Sequence, residues 1–131
     1  MQIVRATTRM FFLVALLASS VTPGCRTEGG AGAGGGGAAV VRVDGAEAHR
    51  LVAAGATLVD VRTPEEFADG HAEGARNIPV HEVASRAGEI SRDHPVVVYC
   101  ASGARSAQAA ATLSRMGYRV HDLGTLNAWR Q

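Results

Sequence analysis

Cys100 stands where a thiol can react. It follows the apolar run Pro95-Val96-Val97-Val98-Tyr99 and precedes Ala101-Ser102-Gly103-Ala104-Arg105-Ser106, after which a helical pattern begins. A tight glycine-containing loop at a helix start turns several backbone N–H groups inward, and such a ring binds anions. The same positive helix end lowers a thiol pKa, so the nucleophilic thiolate is available at neutral pH. Arg105 adds a permanent charge whose forked N–H groups suit oxyanions. The competing reading is an inert buried thiol, and the loop together with Arg105 argues against it.

A second group of polar residues lies upstream. Asp60-Val61-Arg62 closes an apolar run and leads into Thr63-Pro64-Glu65-Glu66-Phe67. Thr63 and Glu66 have the spacing of a capping box, with Pro64 at the first helical position. Asp60, Arg62 and Glu66 read as a charge network that supports a loop rather than as catalytic acids. His71, between Gly70 and Ala72, is expected to bond backbone groups, and Phe67 and Trp129 to join the core.

These residues need a frame, and from residue 40 onward the pattern alternates between strand and helix. Extended segments are expected at Val40–Val43, Thr57–Val61, Arg76–Ile78, Pro95–Tyr99 and Val120–Leu123. Helices are expected at Ala46–Ala54, capped by Asp44 and stopped by Gly55, and from Pro64 to Ala68. Further ones are expected at Glu82–Ile90, at Ala104–Met116 ended by Gly117, and at Leu126–Trp129. Such alternation predicts an α/β domain with a parallel sheet covered on both faces, Pro95–Tyr99 being central. Ligands of such sheets sit at the carboxyl ends of the strands. Here those ends carry Asp60-Val61-Arg62, Cys100 and Leu123-Gly124.

Composition excludes several classes. The chain has 131 residues, enough for one ordinary domain, and a formal charge of +1. No nucleic-acid partner is expected from that balance. All 13 basic residues are arginine, so neither a Schiff-base lysine nor a phosphate-loop lysine is possible. Two cysteines, Cys25 and Cys100, cannot make a disulfide framework. The five histidines are scattered singly, so no metal site is expected.

Arg5 and Arg9 precede the apolar stretch Met10–Val21, whose 12 residues fall short of the about 20 that a membrane helix needs. This is the pattern of an export signal over residues 1–24. Thr22-Pro23-Gly24-Cys25 resembles a bacterial lipoprotein signal, in which the cysteine is lipidated and becomes the new N-terminus. Thr22 departs from the usual aliphatic residue. The alternative is a plain signal cleaved nearby, which leaves Cys25 a free thiol. On the lipoprotein reading, the protein is periplasmic and held by acyl chains, its only link to a membrane. Arg26 in place of Asp after the lipid site favours the outer membrane, by the same resemblance. Cys25 then opens a glycine-rich tether over residues 25–39, with a root-mean-square reach of about 20 Å, and the domain occupies 40–131.

The run VVVYCASGARSAQAAATLSRMGY resembles the active-site segment of rhodanese-type sulfurtransferases. Asp60-Val61-Arg62, Glu65-Glu66-Phe67 and the stretch Gly70 to Pro79 are similar to that family's other signature. Val120, Leu123-Gly124 and Ala128-Trp129 match its closing pattern. The resemblance implies a rhodanese-like α/β fold with a five-stranded parallel sheet and helices on both faces. It implies that Cys100 takes a sulfane sulfur from a small anionic donor such as thiosulfate and passes it to cyanide or a thiol. The persulfide would rest on N–H groups of Ala101, Ser102, Gly103, Ala104 and Arg105, with Arg105 holding the anionic donor and no cofactor needed. A monomer is expected. A competing reading is a sulfur-relay module that serves a partner protein. Cell-cycle phosphatases and related arsenate reductases use a loop one residue longer. The four residues between Cys100 and Arg105 argue against that chemistry.

Overall fold

Residues 37–131 are described by the computed structural model, and their most apolar segment becomes the central strand. Strands β1 (Val41–Arg42), β2 (Thr57–Asp60), β3 (Arg76–Asn77), β4 (Val96–Cys100) and β5 (Val120–Thr125) form one sheet in the order β1-β5-β4-β2-β3. Every neighbouring pair is parallel. Parallel neighbours need crossovers, and helices α1 (Gly45–Ala53), α2 (Pro64–Ala68), α3 (Val83–Arg86), α4 (Ala104–Arg115) and α5 (Leu126–Trp129) lie in the connections or close the chain. The expected five-stranded parallel α/β architecture is the observed one.

Side chains along β4 alternate between two cores. Val96, Val98 and Cys100 pack with Ile78, Val83, Ala109 and Leu113, the core beneath α3 and α4. Val97 and Tyr99 pack with Ala48, Leu58, Leu123 and Leu126, the core beneath α1 and α5. Because strand side chains have a period of two, one residue of slip would move Cys100 to the opposite face from α4. All five residues of β4 are buried, which pins that register.

Local signals end the elements where the chemistry requires. Asp44 accepts the Glu47 N–H at 2.8 Å and caps α1. Thr63 Oγ1 accepts the Glu66 N–H at 3.3 Å while Glu66 Oε2 accepts the Thr63 N–H at 3.0 Å, the expected capping box. Gly117, at φ +89°, turns the chain out of α4 in a conformation that disfavours a Cβ.

Three segments differ from expectation. The span Glu82–Ile90 is not one helix: α3 is flanked by 3-10 turns at Val80–Glu82 and Ala87–Glu89. The Ala87 carbonyl accepts from the Tyr118 hydroxyl at 2.6 Å and from the Ile90 N–H, which closes the chain into a tight turn instead of a further helical turn. β5 runs past Leu123 to Thr125 through a bulge, since Val98 pairs with Asp122 but Tyr99 with Gly124. The end of the expected tether is held: the Ser114 hydroxyl donates to the Ala38 carbonyl, and Gly37 lies so near Ser114 that a Cβ would crowd it.

The start of α1 leaves no room at Gly45, where an added Cβ would run into the Ala128 carbonyl of α5. Gly45→Ala is therefore expected to push α1 and α5 apart and destabilise the domain by about 1–3 kcal/mol. Denaturant unfolding checks this, and an unchanged midpoint would show that the two helices are not in fixed contact.

Candidate active site

Cys100 ends β4, is 0% exposed, and its sulfur lies inside the turn that leads into α4. The Gly103 N–H donates to Sγ at 2.9 Å. Burial pushes the thiol pKa up, but N–H groups of Ser106, Gly103 and Ser102 aimed at the sulfur outweigh it and hold the thiol below its ordinary value. The loop can close around the sulfur because Gly103 adopts φ +97°, in the left-handed region that a side chain rarely enters. Ala101, Ser102 and Ala104 around it are exposed.

The cradle includes a residue that was not expected. It reaches past Arg105 to Ser106, whose N–H is one of the donors left free in the first turn of a helix. Sequence reasoning missed Ser106 as a site residue; the signal was that free first-turn donor, six positions after the cysteine. Its fully buried hydroxyl lies 2.9 Å from the Gly103 carbonyl and 3.3 Å from the Gly124 carbonyl, and also favours the thiolate. Asp122 was missed as well. Its carboxylate accepts the Gly124 N–H at 2.9 Å and so shapes the bulge that presents the Gly124 carbonyl to Ser106.

The upstream charges form two pairs rather than one network. Asp60 and Arg62 are buried together: the Arg62 Nε–H donates to Asp60 Oδ1 at 3.0 Å and an Nη2–H to Oδ2 at 2.6 Å. Arg62 also donates to the Gly70 carbonyl at 2.7 Å, and Asn77 Nδ2 to the carbonyls of Asp60 and Arg62, so the pair fastens the turn after β2. Glu66 stands apart from it. Its carboxylate takes both arms of Arg105, Nη1 at 2.6 Å and Nη2 at 2.8 Å. The Arg105 guanidinium and the capping-box N–H of Thr63 hold the Glu66 carboxyl down at about 2, so it is ionised at any ordinary pH. Arg105, expected to face an anionic donor, therefore carries a carboxylate already.

His71 behaves as expected of a backbone-bonding residue: Nδ1–H donates to the Phe67 carbonyl at 2.9 Å. Phe67 does not join the core. Its ring is half-buried and stacks on His71 with centroids 3.7 Å apart, on a helix none of whose residues is fully buried. Among the described residues no group of His, Cys, Asp and Glu side chains converges to hold a metal ion.

A thiolate on an N–H ring, at the carboxyl end of the middle strand of a parallel sheet, defines a class of α/β proteins that carry or cleave small groups on cysteine. The description of the Rhodanese-like domain matches residues 44–131, and the chain belongs to that family. It is 50% identical over 74 residues to a protein of Allochromatium vinosum named sulfurtransferase, covering 55% of this chain and 69% of that one. It is 37% identical over 91 residues to the thiosulfate sulfurtransferase GlpE of Stutzerimonas stutzeri, covering 68% and 84%. The crystal structure of a rhodanese-related protein from Thermoplasma volcanium superposes with a TM-score of 0.62 at 31% identity, covering 69% of this chain and 90% of that one.

The N–H ring makes a testable statement about acidity. The rate of iodoacetamide alkylation of Cys100 against pH is expected to have its midpoint below that of an ordinary cysteine. Ser106→Ala, which removes the hydroxyl but keeps the N–H, should move the midpoint upward. An ordinary midpoint in the unaltered protein would mean that burial, not the ring, governs the thiol.

Proposed function

We propose that this chain is a sulfurtransferase that moves a sulfane sulfur from a small anionic donor, of which thiosulfate is the type, to cyanide or a thiol through a persulfide on Cys100. The observation that carries the reading is the Gly103 N–H on Cys100 Sγ at 2.9 Å at the start of α4, with the N–H groups of Ser106 and Ser102 further favouring the thiolate. Similarity to proteins named sulfurtransferase supports it.

In the first half-reaction the Cys100 thiolate attacks the outer sulfur of thiosulfate. The Sγ–S bond forms, the donor's S–S bond breaks, and sulfite leaves with the bonding pair. In the second, the acceptor attacks the outer sulfur of the persulfide. Thiocyanate or a new persulfide leaves, and Sγ keeps the pair as thiolate. One negative charge rests on sulfur before and after each step, so one fixed ring of donors serves both states without reorganising. The four-residue spacing from Cys100 to Arg105 gives a ring that suits one sulfur atom better than a tetrahedral phosphate.

The expected outcome with thiosulfate is that the mass of the protein rises by one sulfur atom, located on Cys100, and that cyanide removes it with release of thiocyanate. Cys100→Ser should keep the fold and lose both events. Turnover in that variant would defeat the assignment.

The reading extends to location on the strength of the sequence pattern alone. Residues 1–24 act as the export signal, and Cys25 carries the lipid that holds the protein in the periplasm, at the outer membrane; both lie outside the described residues. Palmitate labelling of the native protein that disappears in Cys25→Ser is the expected result. Recovery of unlabelled protein in the soluble periplasmic fraction would refute the anchor.

A further inference from the structure

We propose that Glu66 sets the donor preference of the Cys100 site by cancelling the charge of Arg105, so that the site favours monoanionic sulfane donors such as thiosulfonates over dianionic thiosulfate. The inference rests on the sulfur-transfer reading above and names the donor class within it.

The geometry fixes this cancellation in place. Both carboxylate oxygens of Glu66 meet Arg105, at 2.6 and 2.8 Å, which is the two-armed arrangement that best satisfies a guanidinium. Glu66 is not free to swing aside, since the Thr63 N–H holds Oε2 at 3.0 Å and the helix start at Thr63 and Pro64 fixes its backbone. Two further arginines near the strand ends also face carboxylates. Arg62 lies against Asp60, and Arg42 against Asp122 at 2.9 Å. The backbone ring around Sγ is therefore left to hold negative charge, and it is built for one charge on sulfur. A sulfonate bearing a second charge meets the Glu66 carboxylate as well as Arg105.

Glu66→Gln is a clean probe. Glutamine also serves at the third position of a capping box, so the side chain keeps its size and its reach to Thr63 while losing its charge. Methanethiosulfonate presents the same outer sulfur as thiosulfate but replaces one charged oxygen by a methyl group. The measured quantity is the ratio of kcat/KM for thiosulfate to that for methanethiosulfonate, with cyanide as acceptor. Both donors are measured on one preparation, so any loss of folded protein cancels. Glu66→Gln should raise the ratio about five- to tenfold, the size expected for one unit charge close to the donor in a partly solvated site. Arg105→Gln should lower it by a similar factor. The double variant, neutral at the mouth like the unaltered protein, should return to within about twofold of the starting ratio.

A ratio that does not follow this order overturns the assignment. If Glu66→Gln alone does not fold, Arg105→Gln against the double variant still reads the carboxylate. A sulfate titration followed at the Gly103 and Ser106 amide signals in a Cys100→Ser background needs no chemistry. Adding Glu66→Gln should tighten sulfate there by a comparable factor. If sulfate tightens while no donor is turned over by the unaltered protein, the sulfur-transfer reading falls and takes the donor preference with it. If turnover proceeds and the donor ratio is unmoved, only the role of Glu66 falls.

Discussion

A negative sulfur buried under a helix loses its water, and the molecule must replace that water with donors already in position. The N–H groups of Ser102, Gly103 and Ser106 do this. The Gly103 N–H makes a direct hydrogen bond to the sulfur at 2.9 Å, a contact worth about 1.5–3 kcal/mol to a charged acceptor, and the N–H groups of Ser102 and Ser106 add to it, so the thiol pKa stays below its ordinary value in spite of burial. Each donor has a structural cause. Gly103 provides the left-handed turn, and the start of α4 supplies the free first-turn N–H of Ser106. The register of β4 puts the sulfur on the α4 side of the sheet. Behind Ser106 stands the bulge of β5, whose Gly124 carbonyl lies near the Ser106 hydroxyl and whose Gly124 N–H is held by Asp122.

The two arginine pairs have different roles because their solvent exposure differs. Asp60 and Arg62 are buried, and removing one partner of such a pair leaves an uncompensated charge at a cost of about 3–5 kcal/mol. That pair secures the turn between β2 and α2. Glu66 and Arg105 are each about a third exposed, with side-chain exposures of 34% and 32%. Surface pairs of this kind contribute only about 0–1 kcal/mol to stability. Their effect lies in the field they set at the loop mouth, where the charge of Arg105 reaches an incoming anion only in part.

Family membership defines the fold and the class of chemistry, while the detail of the site is this chain's own. The N–H ring is a backbone device that any short loop with a glycine at the left-handed position can build. The side chains around it are the variable part. Here they are small at Ala101, Ser102 and Ala104, and charge-compensated at Arg105.

The sequence by itself determined the elements whose signals are local. Thr63 to Glu66 capped α2, Gly117 ended α4, and the run before Cys100 was apolar enough to become the buried middle strand, because propensity, capping and continuous burial act over a few residues. The reactive cysteine was legible for the same reason: loop, glycine and helix start are contiguous. Only the tertiary structure decided what needs distant partners. Glu66 meets Arg105 rather than joining Asp60 and Arg62, since α2 and the start of α4 come together only after the sheet has formed. Glu82–Ile90 broke into short turns because Tyr118, across the fold, takes the Ala87 carbonyl. Asp122 and the Ser106 hydroxyl come together only through the bulge in β5, where Gly124 takes φ +84° and the pairing with β4 shifts by one residue.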